Sequence, residues 1–257
     1  MPAPPINQWI LSPVYSAVIF VGEEAKLGGL LQRALTHIES GRPLLQLAAQ
    51  RLASAGNADA IEPLARLLAA APIQEQWAAE LRSTDYASLN AHALVAIWGA
   101  LETCIEDLVV AILSNVPTAA ATVSAAGVRV NSNKVASSAT EEDLRALYRK
   151  IEEHVRVKQD VVQTYEKVLR LFGLSAACPE HTDALLSANA LRNVIVHRGG
   201  IIDERAVRQA QALAPRLGTK CMIKRDDFLM YHQAVSAWLI ALMQSVVASP
   251  YVARIDS

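Results

Sequence analysis

Aromatic side chains are scarce, at 5% of 257 residues, and glycine and proline number only 11 each. So thin a supply of turn formers argues against a loop-rich β architecture. An excess of one charge is also missing. The formal net charge is -1, so global attraction to nucleic acid is excluded and any such function needs a local patch. The three cysteines, Cys104, Cys178 and Cys221, are too widely spaced to pair as metal ligands, and their odd number speaks against a disulfide framework. That usage fits a reducing cytoplasm, with Cys104 in "ETCIEDLVV" as a small buried hydrophobe. Long apolar runs are lacking too. The opening "MPAPPINQWILSPVYSAVIFVG" has no basic lead, contains Pro13 and is too short to span a bilayer, so a core-facing segment is expected rather than a signal peptide or membrane anchor.

What the chain does have is alanine and leucine within a 52% hydrophobic content, which points to an all-α fold of helices packed on helices. Residues 22–83 read as short helices separated by turn signals, one ending before Gly41-Arg42-Pro43 and another holding Pro63 in its first turn. No repeat period persists, and residues 1–85 are assigned to an N-terminal accessory helical region. From 86 to 115 the apolar spacing predicts one long helix with Trp98 and Leu101 facing the core. The stretch 116–139 is small and polar and reads as a loop, with a short strand at "GVRV".

Thr140 with Asp143 imitates a capping box and opens a charged helix drawn to Phe172. A further helix starts at Thr182 or Asp183 and stops at Gly199-Gly200. A short extended piece is expected at 221–223, and Asp226 or Asp227 is expected to cap the last helix. The second half, 86–257, thus gives four main helices in an up-and-down bundle. The four tryptophans, Trp9, Trp77, Trp98 and Trp238, are expected as core anchors.

One segment asks for more than packing. In "LRNVIVHRGG", Asn193 and His197 stand four residues apart and share a helix face, with Arg192 beside them. His197 falls in the last turn, where the free carbonyl end favours the protonated imidazolium. A histidine that exchanges a proton and a guanidinium that holds an anion together suit attack on a phosphodiester. In RNA the 2′-hydroxyl is the built-in nucleophile. The plainer alternative is a histidine that caps its helix and an arginine that pairs with an acid. Spacing alone does not choose, because Arg149 with His154 and Arg225 with His232 give similar patterns.

The longer wording "LRNVIVHRGGIIDE" resembles the signature of the HEPN superfamily, compact α-helical domains named for higher eukaryotes and prokaryotes nucleotide-binding. Their motif is an arginine followed by a polar residue and, four to six residues on, a histidine. Arg192, Asn193 and His197 match it, and the resemblance spans roughly residues 86 to 247. It implies a metal-independent endoribonuclease working as a homodimer in toxin–antitoxin or antiviral-defence settings, with RNA as substrate and an antitoxin or regulatory protein as a further partner. His197 would then serve as acid/base, Arg192 would hold the phosphate and Asn193 would position groups. An acid from the early helix "WGALETCIEDLV" would support them: Glu102, with Glu106 and Asp107 as rivals. Arg198 is a candidate second phosphate contact.

Gly199 stands where some members carry a tyrosine that an antitoxin modifies. The alternative is a non-catalytic module of the same shape that binds RNA, nucleotide or a protein partner. Between Arg192 and Asp227 eight Lys/Arg face four Asp/Glu, enough for a small phosphate patch and no more. No cofactor or metal is expected, since there is no glycine-rich phosphate loop and His37, His92, His154, His181 and His232 show no ligand grouping.

Overall fold

A computed structural model of the protein describes residues 8–56, 58–129 and 139–252. The protein is all-α, with 81% of the chain helical. Its helices are α1 (Gln8–Ser54), α2 (Ala58–Ser83), α3 (Ala87–Asn115), α4 (Ala119–Ala125), α5 (Glu141–Val155), α6 (Val161–Leu171), α7 (Thr182–His197), α8 (Glu204–Gln209) and α9 (Arg225–Ala248). Short 3₁₀ turns precede α7 and follow α8. Among the described residues no strand forms, and the one isolated bridge joins Ile201 to Lys220.

The chain divides into two compact units. The larger comprises residues 1–23, 94–221 and 229–257. Its core is drawn from every long helix it contains: Ile10 and Val14, Trp98, Leu101 and Ile105, Leu144 and Ile151, Val168 and Leu169, Leu191 and Val194, and Trp238 and Leu242, all buried. The opening segment therefore does face the core, and Pro13 does not interrupt it: α1 runs straight through. In that unit His232 of α9 contacts the Val21 carbonyl, and Trp9 meets Tyr251 edge to face at 6.5 Å.

The smaller unit, residues 24–93 with 222–228, is a helical hairpin in which the short helices expected over 22–83 merge into two long ones. Gly41 and Pro43 lie inside α1, and Pro63 and Pro72 lie inside α2, whose start at Ala58 precedes the expected one. Each proline removes one ladder bond and crowds the preceding turn, yet both helices continue through them. The inward residues recur at spacings of three and four, Leu64, Leu68, Ala71, Glu75 and Ala78 on α2, which is the pattern of two helices in lengthwise contact. Leu35, Ala78 and Tyr86 form its buried core, joined by Ile38, Leu81 and Leu89.

Elsewhere the expectations are partly revised. Thr140 and Asp143 do form the reciprocal capping box of α5, at 3.2 and 3.1 Å. The helix drawn to Phe172 is broken at 156–160, because Asp160 caps a new helix by accepting from the Gln163 amide and Gln159 adopts φ 68°. The loop expected at 116–139 contains α4, no strand occupies 127–129, and residues 130–138 lie outside the described residues. Residues 221–223 carry no strand. The last helix begins at Arg225, whose amide is received by the Asp85 carboxylate at 2.8 Å, so a cap arrives from across the unit and Asp226 and Asp227 sit in the first turn. Trp98 and Trp238 are core anchors and Trp9 is half-buried, but Trp77 is 53% exposed on the hairpin.

Candidate functional site

The Arg-Asn-x-x-x-His segment occupies the last half of α7, whose buried face (Ala188, Leu191, Val194) anchors it in the larger unit. Arg192 and Asn193 are half-buried beside that face, while His197 emerges exposed in the final turn. The helix ends because Gly199 and Gly200 take φ of 62° and 77°, which a side chain disfavours. The Gly200 amide returns to the Val194 carbonyl at 3.1 Å, and the Cys221 amide donates to the Gly200 carbonyl at 2.7 Å. The reversal that follows His197 is thus pinned from both sides.

Arg192 is directed at Glu102 on α3. Its Nη2 donates to Glu102 Oε2 at 2.9 Å, and its Nη1 donates to Asn193 Oδ1 at 3.0 Å. The other carboxylate oxygen, Oε1, receives Trp98 Nε1 at 2.9 Å from one turn earlier and the Tyr165 hydroxyl of α6 at 3.4 Å. Glu102 therefore gathers donors from three helices. Asn193 Nδ2 reaches Asn189 Oδ1 at 3.4 Å, closing a short polar chain along α7. The Arg192 Nε is buried with no partner among the described residues.

The structure separates Glu102 from its rivals. Glu106 and Asp107 both bind Arg145 of α5, at 3.1 and 2.7 Å, and Glu141 joins them at 3.0 Å. Arg198 is likewise engaged: its Nη1 lies 2.7 Å from Asp203 Oδ1, and only 15% of its side chain is exposed. Asp203 caps α8, and the Ala206 amide, followed by Arg198, holds its carboxyl below the usual carboxylate range. A phosphate at Arg198 would have to displace that carboxylate. His197 makes no hydrogen bond or ion pair with a described residue.

The surroundings of Arg192 are acidic. Burial, reinforced by the nearby Glu102, pushes the Tyr165 phenol well up, so it stays protonated and donates. Burial, then Glu152 and Glu106, acts in the same direction on Tyr148. Glu152 is itself raised by burial, against the pull of Arg156. Sequence reasoning had not assigned Trp98 or Tyr165 to the site. The i, i+4 spacing of Trp98 and Glu102 was a usable signal, whereas Tyr165, 63 positions away, had none.

A sizeable cavity in the larger unit does not coincide with the motif. It encloses about 770 Å³ between the start of α1 and the opposite side of α3, with Trp9, Phe20, Gly99, Thr103 and Asp107 among its walls and none of Arg192, Asn193 or His197. Among the described residues no group of three or more His, Cys, Asp or Glu side chains is placed to hold a metal ion. No single described helix is long and apolar enough to cross a membrane, and α3 with α4 passes only as a pair bent by 112°.

Fold and site together define an all-α bundle with a partly buried arginine–glutamate pair and, at the end of the arginine's helix, an exposed histidine. No protein-family model, curated protein or solved structure matches the chain.

Proposed function

We propose that the protein is a HEPN-type endoribonuclease whose site is Arg192, Asn193 and His197 with Glu102 in support. The observation that carries this reading is the setting of Arg192. It comes from a helix that ends at the motif histidine, and its guanidinium is oriented by Glu102, the leading one of the three early-helix acids that the resemblance to this family offers. In the proposed reaction His197 takes the proton of an RNA 2′-hydroxyl, the 2′-oxygen bonds to phosphorus, and the bond from phosphorus to the 5′-oxygen breaks. The leaving oxygen takes a proton, giving a 2′,3′-cyclic phosphate and a 5′-hydroxyl. Arg192 offsets the charge that builds on the phosphate, and Glu102 fixes the angle at which it does so.

A second reading has its own support. Both terminal nitrogens of Arg192 are already engaged, by Glu102 and Asn193, and Arg198 is engaged by Asp203, as in a module that binds a partner without cutting RNA. The test is incubation of a mixed cellular RNA pool in EDTA with wild type, Arg192→Ala and His197→Ala at matched folding. Cuts ending in cyclic phosphate that vanish in both variants are expected. RNA left intact by folded wild type, or cuts that persist in His197→Ala, would sink the ribonuclease reading and favour the binding module.

A further inference from the structure

The acids around Arg192 are not equally held. Glu106 and Asp107 are bound by Arg145, and Glu102 receives Trp98, Tyr165 and Arg192. Glu152 of α5 is different. No described residue donates to it within hydrogen-bond distance, and the Arg156 guanidinium stands 3.8 Å away. Yet the Glu152 side chain is only 28% exposed. Tyr148, one turn earlier and 5% exposed, has a hydroxyl that bonds to no described residue.

Helix geometry brings Glu152 to the site. Arg145, Tyr148 and Glu152 stand at i, i+3 and i+7 of α5 and share one face. Arg145 fixes that face against α3 at Glu106 and Asp107. Further along α5, the charge of Glu106 acts on Tyr148 more than that of Glu102, and on Glu152 the order reverses. The two helices therefore pass in opposite directions, and Glu152 comes level with Glu102. Tyr165 links the groups: its hydroxyl meets Glu102, and both Glu152 and Arg192 act on it. A part-buried carboxyl that no donor holds thus sits beside the carboxylate that orients Arg192.

We infer that Glu152 gives the proton to the leaving 5′-oxygen, an inference that rests on the ribonuclease reading. His197 takes the 2′-hydroxyl proton, so a second group supplies the one that the leaving oxygen needs. As the bond from phosphorus to the 5′-oxygen breaks, the Glu152 O–H proton moves to that oxygen. Glu152 is left as a carboxylate and His197 as an imidazolium, and exchange with water restores both. Burial raises the Glu152 carboxyl, against the pull of Arg156, and Glu102 and Glu106 add to the rise, so it keeps its proton further towards neutral pH than a solvated glutamate does. Glu102 does not serve, because both of its oxygens already accept from Arg192, Trp98 and Tyr165.

A sulfur leaving group tests the step, since a thiolate departs without a proton. An RNA oligonucleotide copying a linkage that wild type cuts in the mixed pool is made twice, once ordinary and once with sulfur in place of the bridging 5′-oxygen. Full-length Glu152→Gln, with helical circular dichroism as in wild type, is expected to cut the ordinary linkage about 10²-fold more slowly and the sulfur linkage at the wild-type rate. His197→Ala is expected to be slow on both. The wild-type rate should fall on the alkaline side for the ordinary linkage, as Glu152 loses its proton, and not for the sulfur one. Glu152→Gln that cuts the ordinary linkage at the wild-type rate, or is slowed equally on both, would overturn the inference and leave the ribonuclease reading standing. Wild type that cuts no RNA would remove both.

Discussion

Glu102 and Arg192 offer a sharp energetic test of the site. Their side chains keep 31% and 23% of their surface, and the pair closes at 2.9 Å. With charge centres ~4 Å apart and an effective dielectric near 20, the gross attraction is about 4 kcal/mol. Desolvation of two half-buried ions and residual solvent screening remove much of that, leaving a coupling of about 1–2 kcal/mol. The perturbation is the set Glu102→Gln, Arg192→Met and their combination, unfolded in urea. Far-UV circular dichroism and tryptophan fluorescence should coincide for the free energies to be comparable. Fluorescence is also local, because Trp98 donates to the same carboxylate. The double variant should be more stable than the sum of the single losses predicts, by that ~1–2 kcal/mol. A coupling within about 0.3 kcal/mol of zero would refute the reasoning, as would an equal coupling between Arg192 and Glu106.

Other outcomes follow from the same geometry. His197→Ala should leave stability within about 0.5 kcal/mol of wild type, because the side chain is exposed and unpartnered among the described residues; a larger loss in urea unfolding would mean that it packs. Burial, aided by Asp107, pushes the Cys104 thiol up to about 12, so alkylation at mildly alkaline pH should spare it until urea unfolds the chain, as mass spectrometry of the labelled peptides can show. Asp203→Ala removes the cap of α8 and the partner of Arg198, costing about 1 kcal/mol at neutral pH. Because the folded-state value for Asp203 is depressed, that contribution is present above the ordinary aspartate range and fades as pH falls through it. The gap between wild type and variant should therefore close in acid. Thr140→Ala should cost a similar ~1 kcal/mol through the lost capping box, visible as a lower urea midpoint.

The readable parts of the sequence were those fixed by local rules. The capping box at Thr140 and the stop at Gly199-Gly200 depend on residues within a few positions of each other, and both occur as expected. The period of α3 likewise placed Trp98 and Leu101 in the core. What escaped were features decided across the chain. The hairpin looked like fragments because its prolines and glycines are breakers by propensity, and only packing of one long helix on another overrides them. The choice of Glu102 over Glu106 and Asp107 was open because the three lie within two turns. Arg145, arriving from α5, takes two of them and leaves the third to Arg192.

The turn between α2 and α3 has a consequence for synthesis on the ribosome. Asp85 and Tyr86 hold positive φ of 53° and 56°, a conformation that a tyrosine resists. Local bonds hold part of the turn, such as the Tyr86 N–H to the Leu81 carbonyl at 2.8 Å and the Asn90 side-chain amide to the Asp85 carbonyl at 3.0 Å. Two others come late: the Asp85 carboxylate waits for the Arg225 amide, 140 residues on, and the Asn90 side-chain amide for the Ile223 carbonyl, 133 residues on. The helices of the hairpin can form as soon as they emerge, but two of the bonds at their junction wait for residues 223 and 225. A nascent chain stopped before residue 222 would carry a hairpin whose junction lacks those two bonds.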